Sequence, residues 1–110
     1  LPADPRLPQL QKISHLVKDL HLAALRRAEA ERAALLDRIA TLQQRPTAPE
    51  DLPPAVAVDV AMRYDRWAEL RRREIEAALR TKAAECDALR DRARLSVGRD
   101  ETLTKIALKR

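Results

Sequence analysis

Apolar side chains fall along this chain in two long stripes separated by a proline-rich break. From Leu10 they recur at Ile13, Val17, Leu20, Ala24, Ala28, Leu35, Ile39 and Leu42, mostly at spacings of three and four, which puts them on one face of an α-helix. The four-residue step from Ala24 to Ala28 is a stutter in the heptad, which locally unwinds a left-handed supercoil without ending it. A helix from about Gln9 to Gln44 is roughly 50 Å long at 1.5 Å per residue. The second stripe reads Val56, Val60, Tyr64, Trp67, Leu70, Ile75, Leu79, Cys86, Leu89, Ala93 and Val97, with Arg71 and Lys82 among its interruptions.

The break is set by proline. Four of the seven prolines lie in Pro46–Pro54, and no other lies between Gln9 and Arg110. Proline cannot donate an interior helical hydrogen bond and biases the residue before it away from helix, so two proline-free arms meet at an enforced interruption. Pro53 and Pro54 suit the start of the second arm, where a missing N–H costs nothing. Pro2, Pro5 and Pro8 make residues 1–9 read as an extended lead-in. Gly98, the single glycine, is followed by Asp100 and Glu101. That pattern fits either a helix stop with a fresh start or one helix running through.

Each arm must hide its stripe, and the neighbouring arm is the nearest apolar surface. The expected fold class is all-α, an antiparallel two-helix coiled-coil hairpin with a proline-rich hinge. Its segments are a lead-in over 1–9, a first helix over 10–45, a hinge over 46–54, a second helix over 55–97 and a basic C-terminal helical tail over 98–110. A parallel homodimer through either stripe satisfies the same pattern. If the hairpin turns near residue 50, paired residue numbers sum to about 100. Tyr64 and Trp67 then pack near the hinge against Leu35, Leu36 and Ile39, and Cys86 and Leu89 face Ile13 and Leu10. The second arm beyond Val97 is left without a helical partner.

Composition agrees with thin helices rather than a globule. Ala, Leu, Lys, Arg and Glu make up 67 of the 110 residues, and there is no Phe, one Tyr and one Trp, so the bulky side chains that fill a compact core are missing. The lone Cys86 has no intramolecular disulfide partner, and no Cys/His spacing matches a zinc site. Cytoplasmic localisation follows as the expectation. No signal-peptide pattern is present, and the longest charge-free run, Leu52–Val58, falls well short of the roughly 20 apolar residues of a membrane span.

Candidate chemistry is sparse. His15 and Asp19 share a helix face, but nothing completes a catalytic or metal site around them. With one glycine there is no phosphate-cradling loop. The chain is read as no enzyme, with no cofactor. Arg71, Arg72 and Arg73 fan around a helix and read as a salt-laced solvated face, with Glu69/Arg73 and Glu76/Arg80 as four-apart pairs.

Charge singles out the C-terminal end. Residues 90–110 hold seven Lys/Arg against three Asp/Glu, most of the net +5. With apolar residues left over there, Arg90, Arg92, Arg94, Arg99, Leu103, Lys105 and Ile106 form the candidate partner-binding surface. Nucleic acid is the rival partner, because phosphate contacts need only Lys and Arg. Against it, the segment has no aromatic residue to stack a base and carries Asp91, Asp100 and Glu101.

The block Tyr64-Asp-Arg-Trp-Ala-Glu-Leu-Arg-Arg-Arg-Glu-Ile-Glu-Ala-Ala-Leu, continuing into Ala83-Ala-Glu-Cys-Asp-Ala-Leu-Arg-Asp-Arg-Ala, resembles the FliJ-like stalk family of flagellar and type III export systems. That resemblance implies a non-catalytic helical hairpin whose paired termini enter the bore of a hexameric export ATPase and regulate it. Arg90, Arg92, Arg94 and Arg99 would then lie near the inserted end. A scaffold subunit of another large assembly, or a basic arm gripping RNA or DNA, are the alternative functions.

Overall fold

The computed structural model describes residues 5–109. They form two helices, α1 (Arg6–Leu42) and α2 (Pro54–Leu108), joined by a linker over 43–53. The expected all-α antiparallel hairpin is the fold. Its contacts divide into two compact units, each fed by both helices. Unit 1 comprises Leu1–Ala30 and Ala84–Arg110, and unit 2 comprises Glu31–Ala83.

The elements start and stop for local reasons, and two of them depart from the sequence reading. α1 begins at Arg6 rather than after Gln9. Pro8 sits in its first turn, where no N–H has an intrahelical acceptor to lose, so that proline extends no lead-in. Residues 1–4 of that lead-in lie outside the described residues. α1 ends as Gln43 and Gln44 donate to the carbonyls of Ala40 and Thr41 at 3.2 and 3.1 Å, a tightened last turn before Pro46. Pro53 caps the start of α2, its carbonyl accepting from the Ala57 N–H at 3.0 Å.

α2 runs through Gly98 without a break, and no described residue has a positive φ. In place of a separate tail over 98–110, residues 98–108 are the last turns of α2, and Arg110 lies outside the described residues. The Thr102 and Thr104 hydroxyls donate to the Gly98 and Asp100 carbonyls at 2.9 Å each, supporting the helix there. An interior glycine costs roughly 1 kcal/mol, and on either side of it Ser96 and Asp100 are buried and hydrogen-bonded to α1.

The chain turns near residue 50, as expected, but the helices are not paired so that residue numbers sum to about 100. That pairing brings His21 opposite Leu79 and Glu29 opposite Arg71. In unit 1, His21 Nδ1 instead meets Ser96 Oγ, and Glu29 meets Arg90 at 3.6 Å, about five turns further along α2. In unit 2, the Tyr64 hydroxyl reaches the Leu42 and Gln44 carbonyls at 3.3 and 3.2 Å, not Leu36, and Lys82 pairs with Glu31. The linker supplies a cause in unit 2. It turns at Pro49–Leu52, where the Leu52 N–H donates to the Pro49 carbonyl at 3.2 Å, and runs beside the first turns of α2, with Arg45, Pro46, Pro49 and Leu52 facing Ala57, Val60, Ala61 and Tyr64 across a groove of about 200 Å³. The first turns of α2 thus have linker beside them at Ala57, Val60 and Ala61.

The seam is thin and small-toothed. In unit 1, Ala28, Cys86 and Ala93 are buried, along with the polar Ser96 and Asp100; in unit 2, Ile75 is buried. Small side chains let two helices approach at the short end of the usual 8–10 Å range. Leu20, Val56, Val60, Trp67 and Leu70, all placed on the buried stripes by their spacing, are exposed instead. Trp67 is 55% exposed although its ring lies 5.8 Å from that of Tyr64, so only the tyrosine packs inward as expected. Arg71 and Arg73 are exposed, and Arg71, Arg72 and Arg73 pair with Glu74 or Glu69 at 2.7–3.3 Å, as a salt-laced face should. The Arg72 hydrogen bond, then its charge and the contacts of Arg73, hold the Glu69 carboxyl below the usual carboxylate range. Glu76 approaches Arg72 at 3.9 Å rather than Arg80. No described helix is long and apolar enough to cross a membrane.

Candidate docking surface

Unit 1 holds the segment that the charge count singled out, and it seats that segment differently from a free overhang. The last turns of α2 are partnered by the first turns of α1. Asp100, 7% exposed, receives hydrogen bonds from Lys18 Nζ at 3.0 Å and Ser14 Oγ at 3.1 Å, and His15 Nδ1 lies 3.0 Å from its Oδ1. The Lys18 hydrogen bond, then that of Ser14 and the charge of His15, hold the Asp100 carboxyl below the ordinary carboxylate range against the opposing push of burial. His15 thus turns to Asp100 rather than to Asp19. His21 and Ser96 add a second polar contact one turn away. The expected absence of a helical partner beyond Val97 is corrected by these contacts. The earlier register had missed them because it placed α1 too far back along α2.

This polar knot has the parts of acid–base chemistry, a serine against a histidine and a carboxylate against a lysine, but not its layout. Asp100 serves Ser14, His15 and Lys18 rather than orienting His21, so no nucleophile, base and orienting acid line up. What the knot does is fix the register, because each buried polar group is satisfied only when α1 and α2 are paired at this offset.

The seven candidate residues divide by role. Arg90 is half-buried and tied to Glu29 at 3.6 Å and Asp87 at 3.2 Å, so it belongs to the seam's edge. Arg92, Arg94, Arg99 and Lys105 are exposed, and among the described residues none of them makes an ion pair. Leu103 is half-buried and Ile106 is exposed. Leu103 and Arg99 line a groove of about 230 Å³ with Leu10, Ile13, Val17 and Ser96. They also line a shallower depression with Leu95 and Gly98. Two of the predicted residues therefore meet an apolar face that α1 supplies.

The α1 contribution was misread from the sequence, which assigned Leu10, Ile13 and Leu20 to the seam and did not single out Leu16. Leu16 and Leu20 are 64% and 68% exposed, and they follow Ile13 at helical spacing, on an apolar row beside the seam-facing one. The signal was there: α1 carries apolar residues on two adjacent faces, and only one can be covered by α2.

Unit 1 holds 12 Lys/Arg against 8 Asp/Glu, and unit 2 holds 10 against 9. The basic excess therefore belongs to both segments of unit 1 and not to the C-terminal tail alone. In unit 2 a second depression beside the exposed Trp67 is lined by Asp37, Arg38, Leu42, Arg71 and Ile75, with mixed charge. In comparisons with known proteins, no family model, no curated sequence and no solved structure matches this chain.

Proposed function

We propose that this chain is a non-catalytic helical-hairpin interaction protein that docks into a larger assembly through unit 1. The carrying observation is the coincidence, on one unit, of four exposed basic side chains that make no ion pair among the described residues, Arg92, Arg94, Arg99 and Lys105, with the exposed apolar residues Leu10, Ile13, Leu16 and Leu20. Unpaired exposed charge beside uncovered apolar surface is the makeup of a steered protein contact. The resemblance of the Tyr64–Leu79 block to FliJ-like hairpins supports a finer reading, in which the assembly is a flagellar-type export ATPase in the cytoplasm and the chain acts as its stalk or escort.

Removing residues 98–108 would also remove Asp100, which is buried against Ser14 and Lys18 of α1. The double variant Arg92→Glu/Arg99→Glu leaves the seam intact. Affinity capture from the native cytosol, with intact chain beside this variant, is expected to recover an ATPase with the intact chain only. The purified pair should hydrolyse ATP faster than the ATPase alone. Recovery of RNA, with affinity falling steeply as salt rises, would replace the protein-docking reading by a nucleic-acid one.

A further inference from the structure

We propose that the groove of unit 1 receives an acidic amphipathic helix of the partner, which lies between α1 and α2 as the third helix of a local bundle. This rests on the reading that unit 1 is a docking surface, and it names the chemistry of what docks.

The shape of the surface comes first. The uncovered apolar row of α1, Leu10, Ile13, Leu16 and Leu20, runs for three turns, about 15 Å. Leu103 of α2 forms the opposite wall of the groove that begins at Leu10 and Ile13. Two antiparallel helices with an apolar trough between them accept a third helix by the same ridge-and-groove packing that joins the first two. An incoming helix would present its own stripe at three- and four-residue spacing.

Charge then selects among occupants. Arg99 lines the groove itself, Arg92 lies about two turns before it on α2, and Arg27 is seven residues beyond Leu20 on the same face of α1. None of the three is ion-paired among the described residues. No carboxylate lines the groove: Asp100 is turned into the seam against Lys18, and Glu29 is tied to Arg90. A second copy of the chain docked through the same face would set these arginines against their own equivalents, with a unit excess of 12 basic over 8 acidic residues on each side. Like charges opposed across an interface disfavour that pairing, and carboxylates flanking an apolar stripe satisfy it.

Two synthetic helical peptides test this. They share one leucine stripe and differ only in carrying Glu or Lys at the flanking positions. Fluorescence anisotropy against the full-length chain is expected to show the Glu peptide binding at least about tenfold more tightly than the Lys peptide. Arg92→Glu/Arg99→Glu should invert that preference, and Leu16→Ser/Leu20→Ser should weaken both peptides. All four positions are exposed, so circular dichroism should show every variant with the helicity of the parent. Equal binding of the two peptides, or binding of neither, overturns the inference. So does sedimentation showing that the chain self-associates through Leu16 and Leu20. Capture of a partner that depends on Arg92 and Arg99, with no discrimination between the peptides, removes the acidic helix and leaves the docking reading standing.

Discussion

Lys18 and Asp100 meet across the helix seam at 3.0 Å, the lysine 26% exposed and the aspartate side chain 9% exposed. The pair closes the last turns of α2 onto the first turns of α1. Its effect on stability has a definite sign with pH. The folded carboxyl titrates below its ordinary value, so the folded chain binds fewer protons than the unfolded one in the intervening window. The stabilisation is fully present above the ordinary carboxylate value of about 3.9 and is lost as the pH falls through the lower folded value. In urea unfolding at pH 5, the parent chain should exceed Asp100→Asn in stability. That margin should close below about pH 4. A margin that grows on acidification would contradict the assigned contacts.

Gly98 offers a gain of stability. It lies inside α2 with no positive φ, and a methyl group added there meets nothing within 4 Å. Gly98→Ala should stabilise the hairpin by about 0.5–1 kcal/mol, seen as a rise of a few degrees in Tm by circular dichroism. A fall in Tm would mean that the helix does not run straight through this position.

Tyr64→Phe isolates the contact that holds the end of α1. The phenol's one hydrogen is shared between the Leu42 and Gln44 carbonyls at 3.3 and 3.2 Å, the first an acceptor that the C-terminus of α1 leaves open and the second in the linker. Both bonds are long and one is exposed, so the loss should fall near the low end of the usual range, about 0.5–1 kcal/mol. Chemical denaturation should show it as a lower midpoint with an unchanged slope.

Register can be read by cross-linking in a Cys86→Ala background. Cysteines at Glu29 and Arg90, whose side chains now meet at 3.6 Å, should be joined within one chain by a short bismaleimide. Cysteines at Leu10 and Arg90 should remain unlinked, because Leu10 lies about 28 Å from Glu29 along α1 at 1.5 Å per residue. The reverse outcome would restore the pairing in which residue numbers sum to about 100.

Much of this architecture was legible because it is governed by local rules. Proline placement separated the helices, and the stripe positions Ala28, Ile75, Cys86 and Ala93 are the buried ones. Register was not legible, because nothing local in Pro46–Pro54 says that the linker will lie along α2 at Ala57–Tyr64. Gly98 was ambiguous for a related reason: its continuity depends on Ser96 and Asp100 finding His21, Ser14 and Lys18, contacts 75 to 86 residues away in sequence. The candidate surface was half legible. Charge located Arg92, Arg94, Arg99 and Lys105, but the apolar face beside Arg99 comes from Leu10 and Ile13, which the stripe analysis had assigned to the seam. A helix with two adjacent apolar rows does not announce which row its neighbour will cover.

The burial of Cys86 gives the hairpin a built-in clock. The thiol is 2% exposed and is the chain's single cysteine, so a reagent or oxidant reaches it only during the intervals when the helices part. With closing fast relative to modification, its pace reports the share of time the helices spend apart, and occupation of the unit 1 groove would slow it without touching the sulfur.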